Sequence, residues 1–128
     1  MGLIQHNAII VTGWEIEGAH ELAVEAFGSL VSPLVPGAAS QTYSFLIAPD
    51  GSKEGWSTSD KYDRLRSQFK DQLESLADFH GYWVEVCFGE NENDRVVDGS
   101  LERAIRRQAL RSPGTLIDYT IEIERGNP

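Results

Sequence analysis

The sequence predicts an α+β fold: a ferredoxin-like split β-α-β-β-α-β core with an appended β-α-β C-terminal segment. Three observations carry this expectation. Residues 8–14 (AIIVTGW) and 82–88 (YWVEVCF) are short runs rich in β-branched and aromatic side chains. Residues 17–27 and 61–77 repeat apolar positions at three- and four-residue steps. Between the two helical patterns stands YSFLIAPDGSKEGW, residues 43–56, which reads as a strand, a Pro49-Asp50-Gly51 turn and a short return strand over 53–56.

The elements follow in order. The continuous apolarity of 8–14 reads as a central strand covered on both faces. In 17–27, Ala19, Leu22, Ala23, Ala26 and Phe27 share one helical face, while Glu17, Glu21 and Glu25 recur on the other; Gly28 suits the C-terminal cap. Residues 30–40, with two prolines and a glycine, read as a loop from which Leu34 and Val35 pack onto the domain. The cluster Ser57-Thr58-Ser59-Asp60 offers helix N-caps. Behind it Tyr62, Leu65, Phe69, Leu73 and Leu76 form the apolar stripe of the clearest helix. The alternation in 82–88 implies one buried and one partly wet face. After a polar turn over 89–94, a short strand over 95–97 leads to a helix over 101–110 with Leu101, Ala104 and Ile105 inward. Ile117, Tyr119, Ile121 and Ile123 then alternate with polar residues, the pattern of a one-sided strand.

At 128 residues the chain is read as one α+β domain, its core at about 6–98 and a helix–strand extension at about 100–125. Twenty Asp and Glu against eleven Lys and Arg give a net charge of −9, which argues against general nucleic-acid binding, since that affinity comes from cations neutralising phosphates. No apolar run is long enough to span a membrane, and the first residues lack the pattern of a secretory signal. Cys87 is the single cysteine, so no internal disulfide can form. These features lead to an expectation of a cytoplasmic protein without cofactor or metal.

No motif of high specificity for catalysis is present. Trp14, Trp56 and Trp83 could stack a base, with Lys53 in a glycine-flanked turn meeting a phosphate, and these four residues form the candidate ligand site. The plainer reading is core packing and an ordinary turn. Glu17-x-x-His20 has the spacing of a carboxylate metal site but stands alone. Glu90, Glu92 and Asp94 alternate as in a calcium loop, yet Arg95 occupies the position where that loop requires glycine. Cys87 sits among apolar strand residues and reads as a buried filler. Arg103, Arg106, Arg107 and Arg111 crowd one helix flank and are expected to pair with the acidic body.

The segments HNAIIVTGW (6–14), VSPLVPGA (31–38) and FLIAPDGSKEGW (45–56) resemble a set of small uncharacterised proteins encoded by bacteriophages and prophages. That resemblance implies an accessory protein acting in the bacterial host cytoplasm. The leading expectation is a non-enzymatic binder that inhibits a host defence protein. Its acids Glu17, Glu21, Glu25, Glu90, Glu92 and Asp94 would face a basic surface on the partner. The alternatives are a protein that sequesters a nucleotide signal and, last, an enzyme of unknown class. The strand over 116–124 offers an edge for a homodimer.

Overall fold

The structure is a computed structural model that describes residues 4–89 and 94–111. It divides into two compact units, Met1–Val97 and Asp98–Pro128. The first unit begins with β1 (Gln5–Trp14) and α1 (Glu17–Phe27), followed by a 3-10 turn at Gly28–Leu30. Next come β2 (Val35–Pro36), β3 (Tyr43–Ile47), α2 (Ser57–Ser75) and β4 (His80–Gly89). The fifth strand, β5 (Arg95–Gly99), starts in this unit and ends in the second, where α3 (Ser100–Arg111) follows.

The class is α+β, with three helices among the described residues and a five-stranded sheet in the order β2-β3-β1-β4-β5. β1 lies antiparallel to both β3 and β4, and β3 is antiparallel to β2. The chain therefore leaves β1 through α1 and returns one strand further out, at β2. It leaves β3 through α2 and returns at β4, beyond β1.

Side chains alternate across a sheet, and the register assigns each to a face. Ile9 stands opposite Ile47 and Glu85, and Val11 opposite Phe45 and Trp83. These face the helices. With Ala19, Ala23 and Phe27 of α1 and Phe69 and Leu73 of α2 they make the buried core. Phe27 and Phe69 meet edge to face, 6.0 Å between centroids, the geometry that aromatic quadrupoles favour. Where β1 meets β4 at its far end, Gly13 faces Gly81, and a Cβ on Gly13 would stand 2.2 Å from the His80 carbonyl oxygen. Only a residue without a side chain fits there.

Four sequence expectations change in the first unit. Residues 53–56 are not a strand; β3 pairs instead with Val35–Pro36, inside the stretch read as loop. The Pro-Asp-Gly signal is real locally: Gly51 has φ 81° and Ser52 N–H donates to Asp50 Oδ2 at 3.2 Å. The backbone turn toward α2 comes after it, at Glu54–Gly55, where Trp56 N–H donates to the Lys53 carbonyl at 3.2 Å. Second, α2 begins at Ser57 and has no side-chain N-cap, so the cluster 57–60 lies inside its first turn. Third, Leu34 packs against the core as expected, but Val35 is exposed. Fourth, β1 is not covered on both faces, since Ile10 is 41% exposed between the fully buried Ile9 and Val11.

The outer edge of β3 is closed off beyond the two β2 residues. Ser32 N–H donates to the Leu46 carbonyl and Ala48 N–H to the Leu30 carbonyl, both at 2.9 Å. Ser32 Oγ accepts the Leu46 N–H, also at 2.9 Å. No row of free backbone groups is left there for strand addition.

In the second unit, Asp98 is buried and accepts from Gly99 N–H at 2.9 Å, Arg103 Nη2 at 3.1 Å and Arg106 Nη2 at 2.8 Å. Those two arginines thus pair within their own unit. Leu101 and Ala104, expected inward, are exposed, while Ala109 is buried. Of the other sequence features, Glu90, Glu92 and the strand over 116–124 lie outside the described residues.

Candidate functional site

Among the described residues, no helix of the first unit lies against the sheet's second face. It is built from Ile10, Thr12 and Trp14 of β1, Ser44 and Leu46 of β3, and the even-numbered residues of β4 from His80 to Phe88. Ile10 stands between Leu46 and Val84; Thr12 stands between Ser44 and Tyr82. Tyr82 is 70% exposed, Trp14 51%, Ile10 41%, and Leu46 and Phe88 each 38%. None of these positions carries Asp, Glu, Lys or Arg, on a chain where 24% of residues are charged. The polar groups at the centre satisfy each other, with Thr12 Oγ1 and Ser44 Oγ 2.9 Å apart. At one end the rings of Trp14 and His80 stack, 6.0 Å between centroids and 4° between planes. A shallow depression of about 150 Å³ between Ile10, Thr12, Tyr82 and Val84 marks the middle. A contiguous exposed apolar surface of this kind is where soluble proteins meet partners.

The opposite side of β4 holds a polar cluster that sequence reading missed. Glu85 points toward the helices and is buried. Lys70 Nζ of α2 donates to its Oε1 at 2.6 Å, Asn7 Nδ2 to its Oε2 at 3.0 Å, and Arg66 Nε lies 3.7 Å from Oε2. Arg66, also buried, reaches Asp50 at 2.9 Å and Asp63 at 2.5 Å. Two cations balance the buried Glu85 and the half-buried Asp50, and the exposed Asp63 adds a third acid. Every polar end of Arg66 is engaged, so the cluster ties the 48–56 loop and β4 to α2 rather than presenting a free reactive group. The readable signal was Arg66 and Lys70 themselves, cations four residues apart beside the Leu65–Phe69–Leu73 stripe.

Asp50 gives this cluster a pH dependence. Burial raises its carboxyl, but hydrogen bonds from Ser52 and Arg66 outweigh burial, and the pKa sits below the ordinary Asp value. A carboxyl depressed on folding stabilises the fold above its unfolded value, about 3.9, and that stabilisation is lost as pH falls through the lower folded value. Asp50→Asn is expected to be less stable than wild type at pH 7, with the gap closing below about pH 4. Urea titrations across pH 2–7 check this; a gap independent of pH would count against it.

The four residues of the candidate ligand site stand apart. Trp83 is buried on the helix side of the sheet, and Trp14 is exposed on the other side. Trp56 is exposed in the turn before α2, with Lys53 Nζ 5.9 Å above its ring. Only Lys53 and Trp56 meet, in a cation–π contact. Among the acids, Glu17, Glu21 and Glu25 line the outer side of α1, and Asp94 is exposed before β5. His20 is held structurally: its Nε2–H donates to the Ser32 carbonyl oxygen at 2.8 Å, and its ring meets Phe45 edge-on. Cys87 is buried. Among the described residues no three His, Cys, Asp or Glu side chains are grouped to hold a metal, and no helix is long and apolar enough to cross a membrane.

Comparison with known proteins returns no matching family model, no matching curated protein and no matching solved structure.

Proposed function

We propose that this protein is a small, non-enzymatic binding protein that holds a protein partner on the open face of its sheet. The observation that carries this reading is the uncharged, exposed set Ile10, Trp14, Leu46, Tyr82 and Phe88, on the reverse of strands whose other side is core. Aromatic residues at the centre of such a surface are the usual anchors of protein interfaces. In this reading the chain is a phage-type accessory protein that inhibits a host defence protein. Glu17, Glu21, Glu25 and Asp94 steer it toward a basic partner surface. The finer fold reading, a ferredoxin-like split β-α-β-β-α-β core, is supported by the order β2-β3-β1-β4 and by two helical crossovers that each skip one strand.

The test compares immobilised full-length wild type with the Ile10→Asp/Tyr82→Asp double variant in capture from bacterial lysate. Proteins retained by wild type are expected to fall at least tenfold in the double variant, because two central anchors are replaced by charge. Glu17→Lys/Glu21→Lys/Glu25→Lys is expected to slow association, most at low salt, and to leave capture largely intact. Equal capture by a folded double variant would sink the proposal.

A further inference from the structure

We infer that the partner element seated on the open face is a single amphipathic α-helix with basic residues at one end. This rests on the reading of that face as the protein-binding surface, and three observations on the same unit support it.

The first is shape. The exposed residues belong to three adjacent strands, β3, β1 and β4. Neighbouring strands lie about 4.8 Å apart and rise about 3.3 Å per residue. Along β4, from the exposed Tyr82 to the exposed Phe88, the face is therefore roughly 20 Å long and, with side chains, roughly 10–14 Å wide. A helix is about 10–12 Å across and rises 1.5 Å per residue, so about four turns fill this strip. The other side of the same strands already packs helices in this way, through Ile9, Val11, Phe45 and Trp83.

The second is the closed edge. A partner strand would need free backbone groups along β3, and the Leu30–Ser32 stretch and β2 already take them. Pairing at this edge is closed off, which favours binding on the face.

The third is charge. The strip itself is uncharged, but Glu15 and Asp78 flank its Trp14–His80 end, and both are exposed. The body around it is acidic, net −9 over the whole chain. A second copy would bring Glu15 and Asp78 and the same net charge, whereas a helix ending in Lys or Arg would meet opposite charge at that end. The stacked Trp14 also offers its exposed side to a cation.

The experiment uses the full chain and three synthetic 16-residue helical peptides. One carries Leu at i, i+3, i+4 and i+7 spacing with Lys at one end. The second has the same composition scrambled to remove the stripe. The third keeps the stripe with Glu in place of Lys. Binding is followed by calorimetry and by tryptophan fluorescence. The striped Lys peptide is expected to bind 1:1, at least tenfold more tightly than either other peptide. Tyr82→Asp is expected to weaken it at least tenfold, and Glu15→Lys/Asp78→Lys to reverse the preference between Lys and Glu ends. Equal binding of the scrambled peptide, or indifference to Tyr82→Asp, overturns the inference. So does a dimer that Ile10→Asp makes monomeric, since the occupant is then a second copy. In a Trp56→Phe background, which removes the exposed tryptophan outside the face, poor acrylamide quenching of the free monomer overturns it too, since the face is then covered by the chain itself. Lysate capture that depends on the face while every peptide fails leaves the binding reading standing and removes only the helix.

Discussion

Replacing Arg66 by methionine is expected to remove about 3–5 kcal/mol of folding stability, a large part of the 5–15 kcal/mol typical of a domain. The guanidinium is the shared partner of three carboxylates. It bonds Asp50 at 2.9 Å and Asp63 at 2.5 Å, and lies 3.7 Å from Glu85. The Asp50 and Glu85 side chains are only 9% and 6% exposed. Without Arg66, Asp50 keeps Ser52 but loses its cation, and Glu85 keeps Lys70 and Asn7. The cost comes from the charge left behind in a poorly hydrated place, not from a large gain when the pair was made. Arg66→Lys should fall between wild type and Arg66→Met, because an ammonium keeps the charge but cannot reach three acids as a planar fork can. Urea midpoints at pH 7 measure both. A loss below about 1 kcal/mol for Arg66→Met would mean that water already screens the cluster as it screens surface pairs.

The same cluster shows where sequence reading reached its limit. Both long helices and the strands at the centre of the sheet were legible, because burial on one side imposes a period that local sequence records. Glu85 was not. In 82–88 it sits between Val84 and Val86 and looks like a wet position. Its burial depends on Arg66 and Lys70, which are distant in sequence and brought to it only by packing. The hairpin failed for a related reason. Asp50 does make its local bond to Ser52 N–H, but the backbone turn falls later, at Glu54–Gly55, and Arg66 holds Asp50 against α2. The strand that does pair with β3 is two residues long, too short to leave a period. For the candidate site the signal was ambiguous rather than absent. Trp14 was singled out, and Ile10, Leu46 and Tyr82 were all read as strand residues. A continuous apolar run looks the same whether its second side meets another layer or a partner.

That ambiguity has a direct test along β1, where one residue step should separate unfolding from a change of surface. Ile9 and Val11 are fully buried, and Ile10 between them is 41% exposed on the open face. Val11→Asp puts a carboxylate among Phe45, Trp83 and the helices, where no cation is its neighbour in the strand register. The lost apolar contact alone costs about 2–5 kcal/mol, and an unpaired buried charge adds several more. The sum is of the order of the whole stability of a domain, so the variant is expected to be unfolded at 25 °C by circular dichroism and proton NMR. Ile10→Asp loses only part of an exposed side chain and some strand propensity, about 1–2 kcal/mol. It is expected to stay folded while losing partner capture. Had β1 been covered on both faces, as its sequence suggests, both substitutions would unfold the chain. A folded Ile10→Asp beside an unfolded Val11→Asp therefore assigns the open face by stability alone, before any partner is identified. An unfolded Ile10→Asp would mean that this face is filled in the native protein and would remove the surface on which the proposed function depends.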